Sequence, residues 1–257
     1  KCLSFSQDDI DSTFIQKYFE IFKFPKGYGF WLWKYYFLDK LLTDLNYGDI
    51  LVYSDAGSSI DVNGKKRLNE YFDILNSSKT GNLRFQMYHN KEKFYTSKEV
   101  FNYFNLEPNS NIGQTGQLVG GHILFKKNEN SIFLLNEFKN IINYDHNLIT
   151  DTYNNFPQID GFHSCKNDQS IFSMLSKVYG SEVLKDETAL NDKFTDNKIH
   201  PFRAVQIKQY TSYQKFKFYL NFNKNINRTI TFDRRKYWFQ KDSLYLKIRK
   251  LISKYFR

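Results

Sequence analysis

The strongest constraint on the fold is a short apolar run that ends in an acidic residue followed by two very small ones. Residues 50–53 read Ile-Leu-Val-Tyr, and Ser54 separates this run from Asp55, Ala56 and Gly57. A run of this length and β-branched content, bounded by turn residues, predicts a buried parallel strand. Because ligands bind beyond the carboxyl ends of strands in open α/β sheets, we expect Asp55 to lie where such a protein does its chemistry.

Helical and strand-like patterns alternate along the rest of the chain. The helical patterns cover residues 11–22, 31–45, 66–76, 97–104, 129–143 and 168–179, and the strand-like runs cover residues 1–5, 49–53, 83–88 and 118–125. This alternation predicts an α/β fold with a mainly parallel sheet flanked by helices. The 257 residues suffice for one such domain with an appendage, and we expect the domain to span residues 1–207.

The positive charge of the chain is concentrated at its end. Residues 208–257 hold 14 Lys and Arg against two Asp, whereas residues 1–207 hold 23 basic and 25 acidic side chains. Within this extension, residues 242–257 fit a basic amphipathic helix that begins at Asp242. We expect one of three roles for it: contact with an anionic membrane surface, binding of nucleic acid, or packing on the domain as a solvated terminal helix.

The composition also excludes several classes of protein. An uncharged apolar run of about 18 residues is missing, so we do not expect a transmembrane span. Cys2 and Cys165 are far apart in the sequence, which argues against a disulfide framework and fits a reducing compartment. Without paired Cys or His spacing, a zinc site is not expected. We therefore expect a cytoplasmic protein, with peripheral membrane association through residues 242–257.

A glycine-containing aromatic segment precedes the helical pattern at 31–45. It comprises Gly27, Tyr28 and Gly29, then Trp33 and Lys34 at the start of the helix. Helix N-termini attract phosphate, lysine adds positive charge, and tryptophan stacks on sugars or bases. The segment therefore predicts a phosphate and sugar site, with an aromatic core helix behind a glycine hinge as the alternative.

Asp55 itself has two interpretations. Its carboxylate could bind a Mg²⁺ or Mn²⁺ ion that bridges two phosphates, because these cations prefer hard oxygen ligands. Ala56 and Gly57 would leave room for a bulky ligand. Alternatively, Asp55 only turns the chain beside Gly57.

A loop that leads into the helical pattern at 168–179 brings an imidazole, a carboxylate and an amide together. These groups belong to His163, Asp168 and Gln169. A carboxylate at this place could orient an acceptor hydroxyl, act as a base or stabilise a developing cation. The alternative is a capped helix with a surface histidine.

Two further segments contain candidate site residues. Gln117, followed by Gly120, Gly121 and His122, offers hydrogen bonds and a place where a ligand can approach the backbone, or else a tight turn that enters a buried strand. His200 precedes a proline and is a candidate metal ligand or phosphate contact, with a structural histidine as the alternative.

Taken in this order, these segments resemble a family of glycosyltransferase-like proteins of bacterial capsule and lipopolysaccharide synthesis and of viral glycan synthesis. The resemblance rests on residues 27–34, 48–57, 115–117 and 163–173, and it covers residues 1 to about 205. It implies the GT-A fold of nucleotide-diphospho-sugar transferases. It also implies that a first strand, which contacts the nucleotide base, lies ahead of Lys1.

The resemblance implies that the protein moves a hexose from a nucleoside-diphosphate sugar to a glycan or lipid-linked acceptor. Asp168 and Gln169 look like the Asp-Gln pair of glycogenin-like and lipopolysaccharide galactosyltransferases, which implies retention of the anomeric configuration. With His163 they are the implied catalytic residues. The implied donor-binding residues are Gly27, Tyr28, Gly29, Trp33, Lys34, Asp55, Ala56, Gly57, Gln117, Gly120 and Gly121.

The implied cofactor is Mn²⁺ or Mg²⁺. The family's strand-end Asp-x-Asp usually holds this ion, and here Gly57 stands where the second acid is expected. Asp55 is the implied first ligand, and Asp61 or His200 could complete the site.

Two other functions remain open at the level of the sequence. The basic and aromatic extension could bind nucleic acid, although the slightly acidic body and the lack of a nucleic-acid motif argue against this partner. The chain could also be a catalytically incomplete domain that binds a sugar nucleotide.

Overall fold

The computed structural model describes residues 2–153, 155–189, 199–204 and 229–230. The helices are α1 (Ser12–Lys17), α2 (Phe19–Phe22), α3 (Gly27–Phe30), α4 (Leu32–Asp44), α5 (Lys65–Ser77), α6 (Glu92–Tyr95), α7 (Lys98–Tyr103), α8 (Asn111–Gln114), α9 (Glu129–Tyr144) and α10 (Asp168–Tyr179). The strands are β1 (Ile50–Ser54), β2 (Ser58–Asp61), β3 (Asn82–Lys91), β4 (Gly116–Leu118), β5 (His122–Lys126), β6 (Glu182–Lys185), β7 (Phe202–Ala204) and β8 (Thr229–Ile230).

The main sheet is mixed, and the expectation of a mainly parallel sheet is wrong. Its strand order is β1-β5-β3-β4, with β6 paired to β3. Only the β3–β6 pair is parallel among the described pairings, and β1–β5, β5–β3 and β3–β4 are antiparallel. The error has a physical cause, because an apolar run reports burial on both faces of a strand and says nothing about the direction of its neighbour.

β4 and β5 follow one another along one edge of β3, with a bulge between them. Leu83 of β3 pairs with Leu124 of β5, and Gln86 of β3 pairs with Leu118 of β4. Between these two pairs the chain has three residue steps on β3 and six on the opposite side. The surplus residues, which include the glycine pair at 120–121, lie outside the regular ladder. Such bulges often re-aim the chain beside functional sites, and this one interrupts the strand predicted over 118–125.

Hydrophobic cores lie on both faces of the main sheet. Along β5, Ile123 and Phe125 pack into the larger core, while Leu124 between them packs into the smaller one. Because side chains alternate between the faces of a strand, the two cores are on opposite sides of the sheet. Helices α4, α9 and α10 contribute Leu38, Phe138 and Phe172 to the larger core, and α5 contributes Tyr71 and Leu75 to the smaller one.

The long helices are confirmed at the predicted places, as α4, α5, α9 and α10. The ring of Phe138 joins three of these helices, because it stacks on Tyr35 at 5.1 Å and on Phe172 at 4.4 Å between ring centroids. The sheet with helices on both faces is therefore an α/β architecture.

Of two other local predictions, one is wrong and one is confirmed as two short helices. The strand expected over residues 1–5 is wrong, since residues 2–5 pair with no strand in the described part of the chain. Phe5 instead stacks its ring on Phe37 of α4, with 4.5 Å between centroids. The helix expected over 11–22 is present as α1 and α2, which meet at Tyr18.

A second, smaller sheet has the order β7-β2-β8 and is antiparallel throughout its described pairings. Because β2 begins three residues after Asp55, this sheet lies beside the end of β1. Apart from β8, the predicted basic extension at residues 208–257 lies outside the described residues. None of the described helices combines the length and the apolar character that a membrane crossing requires.

Candidate functional site

A cleft of about 740 Å³ opens where β1 ends, the bulge begins and α10 starts. This volume is within the range of small-molecule sites in proteins. The predicted site residues that line it are Lys34, Asp55, Gly57, Gly120, Gly121, Asp168 and Gln169. The chain therefore brings together residues from four segments that are far apart in the sequence.

A buried lysine and two carboxylates form the charged part of the cleft. The Nζ atom of Lys34 lies 2.6 Å from Oδ2 of Asp168 and 3.7 Å from Oδ1 of Asp55. Nζ also donates a hydrogen bond of 2.9 Å to the carbonyl oxygen of Gly120. Lys34 and Asp168 are almost fully buried, whereas the Asp55 side chain is 41% exposed. Asp55 is thus the carboxylate of this group that an incoming ligand reaches first.

Burial and charge oppose each other in this group. Burial raises the pKa of Asp168 to about 6, although the ammonium of Lys34 works against this effect. Burial also lowers the pKa of Lys34, but the carboxylates of Asp168 and Asp55 outweigh it, so the pKa of Lys34 lies above its ordinary value. At neutral pH the group therefore holds one ammonium between two carboxylates.

Tyr53, which the sequence did not indicate as a site residue, orients Asp55. Its hydroxyl donates a hydrogen bond of 2.5 Å to Oδ1 of Asp55. The Nζ atom of Lys34 lies 5.2 Å from the centroid of the Tyr53 ring. Tyr53, near the end of β1, therefore holds the Asp55 carboxylate in place with its side chain.

Gln169 is fixed by a chain of amide hydrogen bonds. The N–H of Gly120 donates to Oε1 of Gln169 at 2.8 Å, and Nε2 of Gln169 donates to Oε1 of Gln117 at 2.6 Å. Nε2 of Gln117 donates in turn to Oε1 of Glu92 at 3.0 Å. The same Nε2 atom donates to the backbone carbonyl oxygen of Tyr95 at 3.1 Å. Because a carbonyl oxygen only accepts, this bond determines which way both amides point.

Glu92 is a positioning residue that sequence reasoning missed. It is fully buried, and its Oε2 atom accepts hydrogen bonds of 2.5 Å from Ser173 and from Lys177. The signal in the sequence was weak, because a single glutamate after a strand-like run has no motif around it.

The segment before α4, which includes α3, is a left-handed turn and not a right-handed helix. The φ angles of residues 27–31 are all positive, from +49° to +75°. Tyr28, Phe30 and Trp31 are not glycines, and a left-handed conformation costs such residues about 1–2 kcal/mol each. The indole nitrogen of Trp33 donates to the carbonyl oxygen of Gly27 at 2.9 Å and helps to close the turn.

The left-handed turn shapes the mouth of the cleft. Trp31 and Lys26 line the cleft, whereas the other residues of the turn and Trp33 are not part of its described lining. A Cβ atom at Gly29 would lie 2.8 Å from the ring of Phe22. Gly27 and Gly29, two of the glycines predicted to bind the donor, form the turn that presents Trp31 beside Lys26.

A second unusual backbone conformation lies on the other side of the cleft. Asn167, immediately before Asp168, has φ +54° and ψ −122°. Its side chain donates to the carbonyl oxygen of Ile149 at 2.8 Å and to Asp151 at 3.2 Å, and Asp151 pairs with Lys26 at 2.7 Å. Because such conformations cluster at functional sites, their convergence on Lys34 and Asp168 marks this cleft as the candidate site.

The remaining predicted site residues lie beside the cleft. His163 stacks its ring on Tyr95, with 5.3 Å between centroids, and is not part of the described lining. Gln117 is buried behind Gln169. Ala56 is in the turn that joins β1 to β2.

Asp61 and His200, the predicted partners of Asp55 in a metal site, each have a hydrogen-bond partner elsewhere in the described residues. The Nδ1 atom of His200 lies 2.8 Å from Oε2 of Glu187, and the Asp61 side chain accepts from the N–H of Asn63 at 2.9 Å. No group of three His, Cys, Asp or Glu side chains among the described residues is arranged to bind a metal. An ion that arrives with a diphosphate and meets Asp55 stays a prediction.

Comparison with protein-family models, with curated proteins and with solved structures found no match.

Proposed function

We propose that this chain is a glycosyltransferase that binds a nucleoside-diphosphate sugar in the cleft and transfers the hexose to a glycan or lipid-linked acceptor. The observation that carries the proposal is the buried Lys34–Asp168 pair, at 2.6 Å, beside the partly exposed Asp55 at the end of β1. The motifs that resemble the GT-A family converge on this place.

The diphosphate would lie at the mouth of the cleft. Lys26 and Lys166 line this region and supply positive charge for phosphate oxygens. The first turn of α10 faces the same space through Gln169. Asp55 would meet the diphosphate through a divalent cation brought with the donor, since the carboxylate alone would repel it.

The reacting carbon of the hexose would lie between Asp55 and Asp168. In the transfer, the bond from this carbon to the phosphate oxygen breaks, a bond to the acceptor oxygen forms, and the acceptor hydroxyl gives its proton to the departing phosphate oxygen. Positive charge develops on the sugar ring as the phosphate leaves. Asp168, held as a carboxylate by Lys34, would stabilise that charge in a site from which water is largely excluded.

Gln169 would act as a positioning and binding residue. Its carbonyl oxygen already accepts from Gly120, and its amide nitrogen donates to Gln117. Because both ends of the amide are fixed, the residue presents a rigid polar edge to the sugar. The Asp-Gln pair supports a retaining mechanism as part of this proposal.

The test combines binding with transfer. The protein is screened by melting temperature against UDP, GDP, CMP and dTDP sugars, with and without Mn²⁺, because a bound ligand stabilises the folded state. We expect a shift with one donor, and we expect donor hydrolysis that is lost in Asp55→Ala and Asp168→Asn. Asp73→Asn on the exposed face of α5 is the matched control. A shift with a donor that is not hydrolysed would favour a catalytically incomplete domain that binds a sugar nucleotide, and no shift with any donor would contradict the proposal.

The partners of the basic extension remain predictions, since residues 208–257 lie outside the described residues except for β8. An anionic membrane, reached through residues 242–257, would bring the cleft to a lipid-linked acceptor. Salt-sensitive binding of single-stranded nucleic acid, without affinity for any sugar nucleotide, would instead favour the alternative function.

A further inference from the structure

His122 is a buried histidine whose ring nitrogens have no partner in the described part of the chain. It is the first residue of β5, directly after the bulge, and it lines the cleft. Its exposure is 0%, and neither Nδ1 nor Nε2 makes a hydrogen bond with a described residue. The Oγ atom of Ser54, directly opposite on β1, is also buried without such a partner.

The position of these two residues favours a ligand over a structural role. Residues directly opposite in an antiparallel pair place their side chains on the same face of the sheet. A buried polar group without a partner destabilises the fold, so such groups are normally hydrogen-bonded. His200 shows the usual arrangement for a buried histidine in this chain, with Nδ1 at 2.8 Å from Glu187.

The surroundings of His122 keep its ring neutral. Its ring lies 5.3 Å from that of Phe202, and Met87 and Val119 line the same cleft. Burial lowers the pKa of His122 to about 4, against the attraction of Asp55. A neutral imidazole has one hydrogen-bond donor and one acceptor. This combination complements a hydroxyl group, which also donates and accepts.

We infer that His122 and Ser54 form a subsite that hydrogen-bonds the hydroxyl groups of the transferred sugar, and that this sugar is an uncharged hexose. The inference rests on the proposed function and identifies its substrate class. The subsite is next to Asp55, which follows Ser54 in the chain, and next to Gly121, which precedes His122. Because Gly121 has no side chain, the Asp55 carboxylate lies close to its backbone, where a Cβ atom would be 3.1 Å from Oδ2.

An acidic sugar is disfavoured by the carboxylate of Asp55, whose charge acts on His122. Asp55 and Asp168 are carboxylates, and Lys34 is already paired between them. A sugar carboxylate beside the neutral His122 would meet two like charges without a free cation from these residues. The subsite therefore distinguishes a hexose from a hexuronic acid.

The test compares nucleotide donors with and without their sugar by calorimetry. The probes are UDP, UDP-glucose, UDP-galactose and UDP-glucuronate, together with GDP and GDP-mannose. His122→Phe keeps the ring volume against Phe202 and removes both nitrogens. We expect unchanged affinity for the nucleoside diphosphate and about tenfold weaker affinity for the uncharged sugar donor, the size of a lost hydrogen bond.

Two further variants keep the test decisive. Ser54→Ala removes only the hydroxyl and should weaken the same sugar donor several-fold, even if His122→Phe fails to fold. His89→Phe changes an exposed histidine and should bind every probe as the wild type does.

The outcomes separate this inference from the function on which it rests. If the wild type binds a sugar donor and both subsite variants bind it equally well, the inference is overturned and the transferase proposal stands. Binding of UDP-glucuronate as tight as that of UDP-glucose would also overturn it. If the wild type binds none of the probes, the transferase proposal fails and the inference falls with it.

Discussion

Lys34 and Asp168 meet at 2.6 Å although they belong to different helices, and both are almost completely buried. Lys34 is in the first turn of α4, and Asp168 is the first residue of α10. The pair therefore ties the left-handed turn to the loop before α10 and closes the base of the cleft. Removing one partner of a buried ion pair destabilises a protein strongly, whereas replacing both partners costs much less.

This relationship predicts strong non-additivity between substitutions. Lys34→Met leaves two carboxylates without their ammonium, and Asp168→Asn leaves the ammonium with only Asp55. We expect Lys34→Met to lower the free energy of unfolding by about 3–5 kcal/mol. Asp168→Asn should cost less, because the raised pKa of Asp168 means that burial already disfavours its charged form. The double variant should cost clearly less than the sum. Urea unfolding of the four proteins measures the coupling, and strict additivity would show that the two side chains do not act as a pair.

The raised pKa of Asp168 predicts how activity depends on pH. Its pKa of about 6 means that the carboxylate needed in the proposed transfer is lost as the pH falls below that value. The effect on stability has the opposite direction: since the folded state binds this proton more readily, the contribution of Asp168 to stability falls as the pH rises from 3.8 to about 6. Titration of the carboxyl carbon by NMR measures the pKa directly. A value near 4 would contradict the burial of this group.

A second buried network predicts acid sensitivity of the fold. Glu187 accepts hydrogen bonds from Arg67 and Tyr71, and its pKa is lowered because these bonds outweigh the opposing effect of burial. Ionised Glu187 stabilises the fold at pH values above 4.5, which is its pKa in the unfolded chain. This stabilisation is lost as the pH falls through the lower pKa of the folded state.

Glu187→Gln should therefore destabilise the protein by about 3 kcal/mol at pH 7 and by progressively less on acidification. Unfolding curves between pH 3 and pH 7 measure the difference, with Glu129→Gln at the exposed first residue of α9 as control. A loss that is independent of pH would mean that Glu187 is not ionised in the fold.

Alanine substitutions at Gly29, in the left-handed turn, and at Gly48, shortly before β1, should destabilise the protein by different amounts. Gly29→Ala combines a positive φ of +75° with a Cβ atom 2.8 Å from the Phe22 ring, whereas Gly48→Ala has a φ of +92° with nothing within 4 Å. We expect about 1 kcal/mol of destabilisation at Gly48 from the backbone alone and clearly more at Gly29. Thermal unfolding compares the two. Equal losses would mean that the turn is not tightly packed.

Much of the fold was predictable because it depends on local patterns. The apolar periodicity located α4, α5, α9 and α10, and the turn residues located the end of β1. The direction of the strands was not predictable, because pairing is a long-range property that the apolar run in β1 does not record. The bulge at 120–121 was visible only as two glycines in a strand-like run.

The charged residues of the site were also predictable, but the residues that hold them in place were not. Lys34, Asp55 and Asp168 have recognisable positions at helix starts and a strand end. Glu92 acts through Gln117, and Tyr53 acts through Asp55, so neither has a motif of its own. The left-handed turn was predicted only as a glycine hinge, because its aromatic residues individually disfavour that conformation.

The most direct test of the proposed function is the rate at which nucleoside diphosphate is released from the bound sugar donor at pH 7.5. The wild type and Asp73→Asn should release it at the same rate, and Asp168→Asn should be slower by about 100-fold while it remains folded, as expected for loss of a group that stabilises the transition state. Release by Asp168→Asn at the wild-type rate, or no release by the wild type with any donor, would contradict the role of the Lys34–Asp168 pair in sugar transfer.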